Sequence, residues 1–309
     1  MPLDPDVARL LAEIEDPATP RIELLDVADM RASAALMASW MGAAPLVAGV
    51  RHVAVPGPAG TIVARVYYPA IDKPLPLLVF FHGGGWVFGS VQNVDVPCRE
   101  LANASGCIVL AAQYRLAPEA PFPAAVLDAH AVLAWVLANA ESISADSTRV
   151  VVGGDSSGGN LAVAATLLAR DRGESLPMYQ LLMYPVLDPY LQAPSYAEFG
   201  DGYLLSRASV VRDWSLYLRD ELDKANPYAA PLQALTLRGM PPATIFTAQY
   251  DPVRDDGASY ARRLGEEGVP AEYRCFDGLV HAAFQMANVG PRTREFLHAC
   301  ADALKRITA

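Results

Sequence analysis

Ser156 stands in Gly153-Gly154-Asp155-Ser156-Ser157-Gly158-Gly159, directly after the apolar run Val150-Val151-Val152 and before a helical pattern. A serine on a tight strand-to-helix turn has its hydroxyl thrust outward, the placement that acyl-transfer chemistry needs in a nucleophile. Small residues two positions before and after the serine let strand and helix approach each other. Ser156 has Gly154 and Gly158 there, whereas Ser157 has Asp155 at its minus-two position, so Ser156 is the expected nucleophile. A second glycine cluster, His82-Gly83-Gly84-Gly85-Trp86, also follows an apolar run, Val79-Phe80-Phe81. Its main-chain N–H groups can turn toward one point and hold a developing oxyanion. Gly83 and Gly84 are the expected donors, joined by the N–H of Ser157 at the positive end of the following helix.

A hydroxyl attacks only when a base takes its proton, and the base needs a carboxylate to fix its tautomer and stabilise its charged form. Both belong at later strand ends. Tyr250-Asp251-Pro252 follows the seventh apolar run and Asp277-Gly278-Leu279-Val280-His281 the eighth. His281 closes the segment after the eighth apolar run, whereas His298 falls in a helical pattern, so His281 is the expected base. His52 and His130 read as surface or packing residues, and His82 as a hydrogen-bonding loop residue. Asp251 emerges directly from its strand and is the expected acid; Asp255 and Asp256 follow Pro252 and suit the start of the next helix. A general-base histidine must be neutral, so activity is expected to rise through about pH 6–7.

These residues need a scaffold that brings several strand ends together. Strands are expected near His52–Val55, Thr61–Tyr68, Leu77–His82, Cys107–Tyr114, Arg149–Gly154, Tyr179–Tyr184, Ala243–Tyr250 and Ala271–Phe276. The first two flank Pro56-Gly57-Pro58-Ala59-Gly60 and should pair antiparallel. The later ones are apolar on both faces and alternate with helices such as Ala124–Ala140 and Asn160–Arg170, the pattern of a buried parallel sheet. The alternation lapses where Tyr, Ser and charged residues carry helical pattern without a strand. The expected organisation is a helical segment at 1–48, a first core part at 49–187, a helical insertion at 188–237 and a second core part at 238–309.

Composition removes other classes. Hydrophobic residues make up 52% and charged residues 19%, and the mean hydropathy is +0.19, far from disordered chains. A net charge of −10 argues against nucleic acid as a partner. None of the three lysines (Lys73, Lys224, Lys305) follows a glycine, no His-Glu-x-x-His is present, and no Gly-x-Gly-x-x-Gly follows a strand. Four scattered cysteines give no Cys-x-x-Cys and read as reduced thiols. No metal or cofactor is called for. The uncharged stretch Ala32–Val50 reads as a buried amphipathic helix pair rather than a stable membrane insertion, because it is rich in alanine and contains Gly42 and Pro45. Met1 to Asp6 lack the basic start and apolar run of a signal peptide, so a cytoplasmic location is expected.

On these motifs the sequence resembles the hormone-sensitive lipase family of α/β-hydrolases, the bacterial esterases with a His-Gly-Gly-Gly loop. Tyr114-Arg115-Leu116-Ala117-Pro118-Glu119, Phe122-Pro123-Ala124-Ala125 and Asp251-Pro252-Val253-Arg254-Asp255-Asp256-Gly257 are similar to further segments of that family. The family's chain order of serine, acid and histidine is kept. The sequence departs from the family at Ser157, where alanine is usual, and at Ala282-Ala283, where Gly-Phe is common. The resemblance implies an α/β-hydrolase fold with an eight-stranded, mostly parallel sheet, flanking helices, and a helical cap made from the N-terminal segment and the insertion. It further implies a serine carboxylesterase taking small-molecule esters of short to medium acyl chain, with Trp40 and Tyr203 limiting length and Tyr184 lining the acyl side. A homodimer is compatible with the resemblance. An amidase or lactonase would use the same three residues, and a ligand-binding protein on this fold would lack the histidine that is present here.

Overall fold

The computed structural model describes residues 1–14, 21–70 and 74–309. Eight strands form one sheet: β1 Gly49–Gly57, β2 Gly60–Tyr68, β3 Leu75–Phe81, β4 Ile108–Ala112, β5 Ala145–Asp155, β6 Tyr179–Met183, β7 Ala243–Tyr250 and β8 Ala271–Val280. Their spatial order is β1-β2-β4-β3-β5-β6-β7-β8. The hairpin expected from Pro56 to Gly60 is present, with Pro56 opposite Thr61, and β2 also meets β4 antiparallel. All the remaining pairs are parallel.

Parallel pairing sets the positions of the chemistry. β3 and β5 run in register with Phe81 opposite Gly154, and β5 and β6 with Asp155 opposite Met183, so their carboxyl ends open on one edge of the sheet. That edge is where loops of an open α/β sheet form ligand sites. β3, β4 and β6 bury nearly every side chain, as strands covered by helices on both faces must. The helices Ala124–Asn139 and Ser157–Asp171 pack against this sheet and each other. The former, with its following turn to Ile143, is apolar and long enough to cross a membrane by length and composition. In the fold it buries Val126, Ala129, Val132, Leu133 and Val136.

The expected helix pair within Ala32–Val50 does not form. A 3₁₀ turn, Ala34–Met37, and a four-residue helix, Ala38–Met41, are followed by Gly42 at φ +82° and an extended passage into β1. Gly42, at a positive φ with ψ −165°, turns the chain out of the helix into extended backbone, a conformation open mainly to glycine. The N-terminal segment is instead tied down by arginines. Arg31 donates from Nε to the carbonyl of Val87 at 2.9 Å and from Nη2 to that of Ala117 at 3.1 Å. Arg212, on the helix Arg207–Tyr217, donates to the carbonyls of Ile22 and Leu25.

Between β6 and β7 the described chain carries helices Pro194–Glu198 and Arg207–Tyr217 and short 3₁₀ turns, with no strand. Asp255 and Asp256 lie in the first turn of the helix Arg254–Glu266, at its start as expected, but instead of capping that helix their carboxylates connect this passage to the core. Asp255 accepts the N–H of Ser195 at 3.0 Å. Asp256 accepts the N–H groups of Leu187 and Asp188 at 2.8 and 3.1 Å and the hydroxyl of Tyr196 at 3.0 Å.

Candidate active site

Ser156 sits between β5 and the helix Ser157–Asp171 at φ +56°, ψ −122°, a backbone conformation that L-residues rarely adopt. The turn is possible because its neighbours are glycines. A Cβ on Gly154 would lie 2.4 Å from the carbonyl carbon of Gly158, and one on Gly158 would lie 2.0 Å from the carbonyl oxygen of Phe81. The strain at Ser156 is held by its N–H, which donates to Met183 at 2.9 Å, and by its carbonyl, which accepts from Asn160 at 3.2 Å.

His281 follows β8 and Asp251 follows β7. His281 Nε2 lies 2.9 Å from Ser156 Oγ, and its Nδ1 lies 2.8 Å from Asp251 Oδ2. Asp251 is fully buried, and its other oxygen accepts the N–H of Val253 at 2.9 Å. An ionised carboxylate can only accept, so Nδ1 carries the imidazole proton and Nε2 is left to accept from the serine hydroxyl. Tyr184 supports this ring from below. Its centroid is 4.6 Å from that of His281, and its hydroxyl accepts the N–H of Phe284 at 3.3 Å.

The glycine loop needs a correction. The N–H of Gly83 donates to Asp155 Oδ1 at 2.8 Å, so it is committed and does not face an incoming substrate. Among the described residues the N–H groups of Gly84, Gly85 and Ser157 have no hydrogen-bond partner. Gly84 at φ +115° and Gly85 at φ +56° take conformations suited to glycine, and their crowding is severe: a Cβ on Gly84 would lie 2.2 Å from the carbonyl oxygen of Phe88. The available donor set is therefore Gly84, Gly85 and Ser157, shifted by one residue within the same motif.

Asp155 and Gln285 were not singled out by the sequence. Asp155 is buried just before Ser156; its second oxygen accepts from Gln285 Nε2 at 2.8 Å. Burial pushes its pKa up to about 6, against the opposing pull of these two donors and of His281. Adjacency to Ser156 is the only sequence signal for it. His82, as expected, is a loop residue: its Nδ1 lies 2.8 Å from the carbonyl of Gly83, its ring stacks on Tyr114, and burial lowers its pKa to about 4, so it stays neutral.

The three aromatic pocket residues fare differently. Tyr184 has no exposed surface and fills the core between His281 and Phe296, so it cannot form a pocket wall. Its φ of +35° turns it inward at the end of β6. Trp40 is half-buried, and its carbonyl accepts the N–H of Asn288 on the passage after His281 at 2.9 Å. Tyr203 is half-buried against Tyr250, with centroids 5.0 Å apart, beside Asp251. Ala282 adopts φ +64°, which gives a physical reason for glycine being common after the family's histidine.

Residues 78–285 match the family model described as the α/β-hydrolase fold, and the chain belongs to that family, in its hormone-sensitive lipase-like branch. It is similar to the carboxylic ester hydrolase LipN of Mycobacterium tuberculosis, with 41% identity over 270 residues, covering 84% of this chain and 71% of that protein. An arylesterase of Saccharolobus solfataricus is 39% identical over 219 residues, 71% of each chain. The hyperthermophilic esterase of the archaeon Pyrobaculum calidifontis superimposes with a TM-score of 0.93 at 36% identity, covering 99% of both chains.

Proposed function

We propose that this protein is a serine carboxylesterase that acts through an acyl-enzyme, with Ser156 as nucleophile, His281 as general base and acid, and Asp251 orienting His281. The observation that carries this reading is the continuous pair of hydrogen bonds from Ser156 Oγ through His281 to Asp251, at 2.9 and 2.8 Å. Nε2 takes the serine proton as Oγ attacks the ester carbonyl, and returns it to the leaving alcohol. The N–H groups of Gly84, Gly85 and Ser157 stabilise the tetrahedral oxyanion, Ser157 with the added field of the helix N-terminus. Water then attacks the acyl-enzyme by the same route. The family and the relatives named as ester hydrolases support the reaction class.

The N-terminal segment and the insertion between β6 and β7 act as a cap over the carboxyl edge of the sheet, with Trp40 and Tyr203 restricting the acyl chain to short or medium length. Hydrolysis of p-nitrophenyl esters from two to sixteen acyl carbons, measured for the wild type and Ser156→Ala, tests both parts. Activity that peaks at short chains and vanishes in the variant is expected. Equal rates in the two proteins would reject Ser156 as nucleophile and favour a ligand-binding role for the fold.

A further inference from the structure

Asp213, on the helix Arg207–Tyr217, is more than nine-tenths buried, and its Oδ1 has no hydrogen-bond partner among the described residues. The carboxyl faces the glycine loop directly: a Cβ on Gly85 would lie 2.1 Å from Asp213 Oδ2 and 2.3 Å from its Cγ. Arg212, the nearest cation in sequence, does not pair with it, because its guanidinium is engaged by the carbonyls of Ile22 and Leu25. Trp86, Trp214 and Tyr217 pack as one aromatic group beside it, and each of their side-chain polar atoms is likewise buried without a hydrogen-bond partner among the described residues. Buried polar groups are almost always paired in native proteins, so an unpaired carboxyl beside a candidate oxyanion loop reads as a group kept for a ligand.

Sheet order decides which part of the ligand it meets. β5, which carries Ser156, lies between β3 on one side and β6, β7 and β8 on the other. The leaving alcohol must lie beside His281 Nε2, on the β7–β8 side, because that nitrogen protonates it. Asp213 meets the loop that follows β3, so the acyl chain is the part within its reach.

We propose that Asp213 is a specificity-determining residue that selects esters carrying a hydroxyl close to the carbonyl on the acyl chain. This rests on the esterase reading above and names its substrate class. Burial pushes the Asp213 carboxyl up to about 8, so near neutral pH it is mainly the uncharged acid, with one O–H to donate and a carbonyl oxygen to accept. A hydroxyl satisfies both. A methyl group in its place fits the same volume and leaves the acid unpaired, which is the situation in which a polar site discriminates strongly.

The test compares kcat/KM for the p-nitrophenyl esters of 3-hydroxybutanoate, each enantiomer separately, and of the near-isosteric 3-methylbutanoate. In the wild type at least one hydroxy enantiomer is expected to be preferred by about tenfold or more. Asp213→Leu should shift that ratio toward the methyl ester by a similar factor. Asp213→Asn, whose amide still donates and accepts, should keep the preference and serves if the leucine variant does not fold. A wild-type ratio at or below one for both enantiomers, or a ratio unchanged in Asp213→Leu, overturns the proposal while leaving the esterase intact. Failure of the folded wild type to cleave these esters and p-nitrophenyl butanoate alike would instead bring down the esterase reading, and this inference with it.

Discussion

Gln285 Nε2 donates to Asp155 Oδ2 across 2.8 Å, joining the residue before Ser156 to the 3₁₀ turn that follows His281. The other oxygen of the same carboxylate accepts from Gly83. One buried side chain thus holds in register the turn at Ser156, the glycine loop and the histidine loop, which depart from three different strands. Positioning of this kind matters because small displacements of reacting groups are costly in rate.

Removing that bracket should therefore hurt turnover without touching the reacting atoms. Asp155→Ala is expected to lower kcat by about 10- to 100-fold, with KM changed much less. Asp155→Asn should be milder, since Gln285 can rotate its amide to accept. The wild type should also lose activity below about pH 6, where Asp155 takes up a proton and weakens as an acceptor. Asp155→Asn should lack that component in its pH–rate profile; an identical profile in the two proteins would show that Asp155 does not titrate in this range.

Asp251→Asn tests the histidine's tautomer separately. An asparagine keeps the shape but removes the obligate acceptor for Nδ1–H, and in a serine–histidine–acid relay such a change lowers kcat by about 10⁴. Residual activity above a tenth of wild type would move the acid role elsewhere. Asp255 and Asp256 are poor alternatives, being engaged by Ser195 and by Leu187, Asp188 and Tyr196.

Much of this arrangement was readable in the chain. The eight apolar runs, the hairpin at Pro56–Gly60 and the glycines around Ser156 each leave a local mark, because backbone strain and close approach restrict residue type at the position itself. Asp251 was readable because it directly follows its expected strand, whereas His281 lay five residues past the expected end at Phe276 and was readable because His298 falls in a helical pattern; in the fold β8 runs on to Val280. The donor assignment was not, since three consecutive glycines look alike and only the fold reveals that Asp155 occupies the N–H of Gly83. Tyr184 misled for a similar reason: an aromatic at a strand end is placed in pocket or core by its φ, which the letters do not carry. Asp213 was invisible because its burial depends on a helix far along the chain docking against Gly85.

Gly84 offers a test of the revised donor set. At φ +115° and with Phe88 against it, an alanine must shift the loop. Gly84→Ala is expected to cost about 10²–10³ in kcat, the scale of losing one oxyanion donor. Circular dichroism should show the fold retained. Wild-type kcat in a folded Gly84→Ala protein would place the oxyanion elsewhere.

Arg31 should anchor the N-terminal helix Val27–Ser33 to the loop behind the glycine motif. Its ion pair with Glu119 is largely exposed and adds little. The bonds to the carbonyls of Val87 and Ala117 are the ones that count, at about 1–3 kcal/mol for bonds to a charged donor. Arg31→Ala should lower stability on that scale and speed proteolytic cleavage within the N-terminal segment. Equal cleavage rates in variant and wild type would show that the segment is held by packing alone.

Burial of Asp213 leaves a signature in stability as well as in specificity. The folded protein holds this proton up to about pH 8, because desolvation outweighs the favourable field of Arg212, whereas an unfolded chain releases it near pH 4. Between those values the folded state binds the extra proton, so the stability contributed by this group falls as pH rises from about 4 to about 8. Asp213→Asn removes the titration. Relative to wild type, the variant should therefore gain in Tm between pH 5 and pH 8 by at least about 2 °C, the shift produced by roughly 1 kcal/mol in a chain of this size. A gap between the two proteins that is the same at both pH values would mean that Asp213 is ionised in the folded state, and its partner would then have to be a cation.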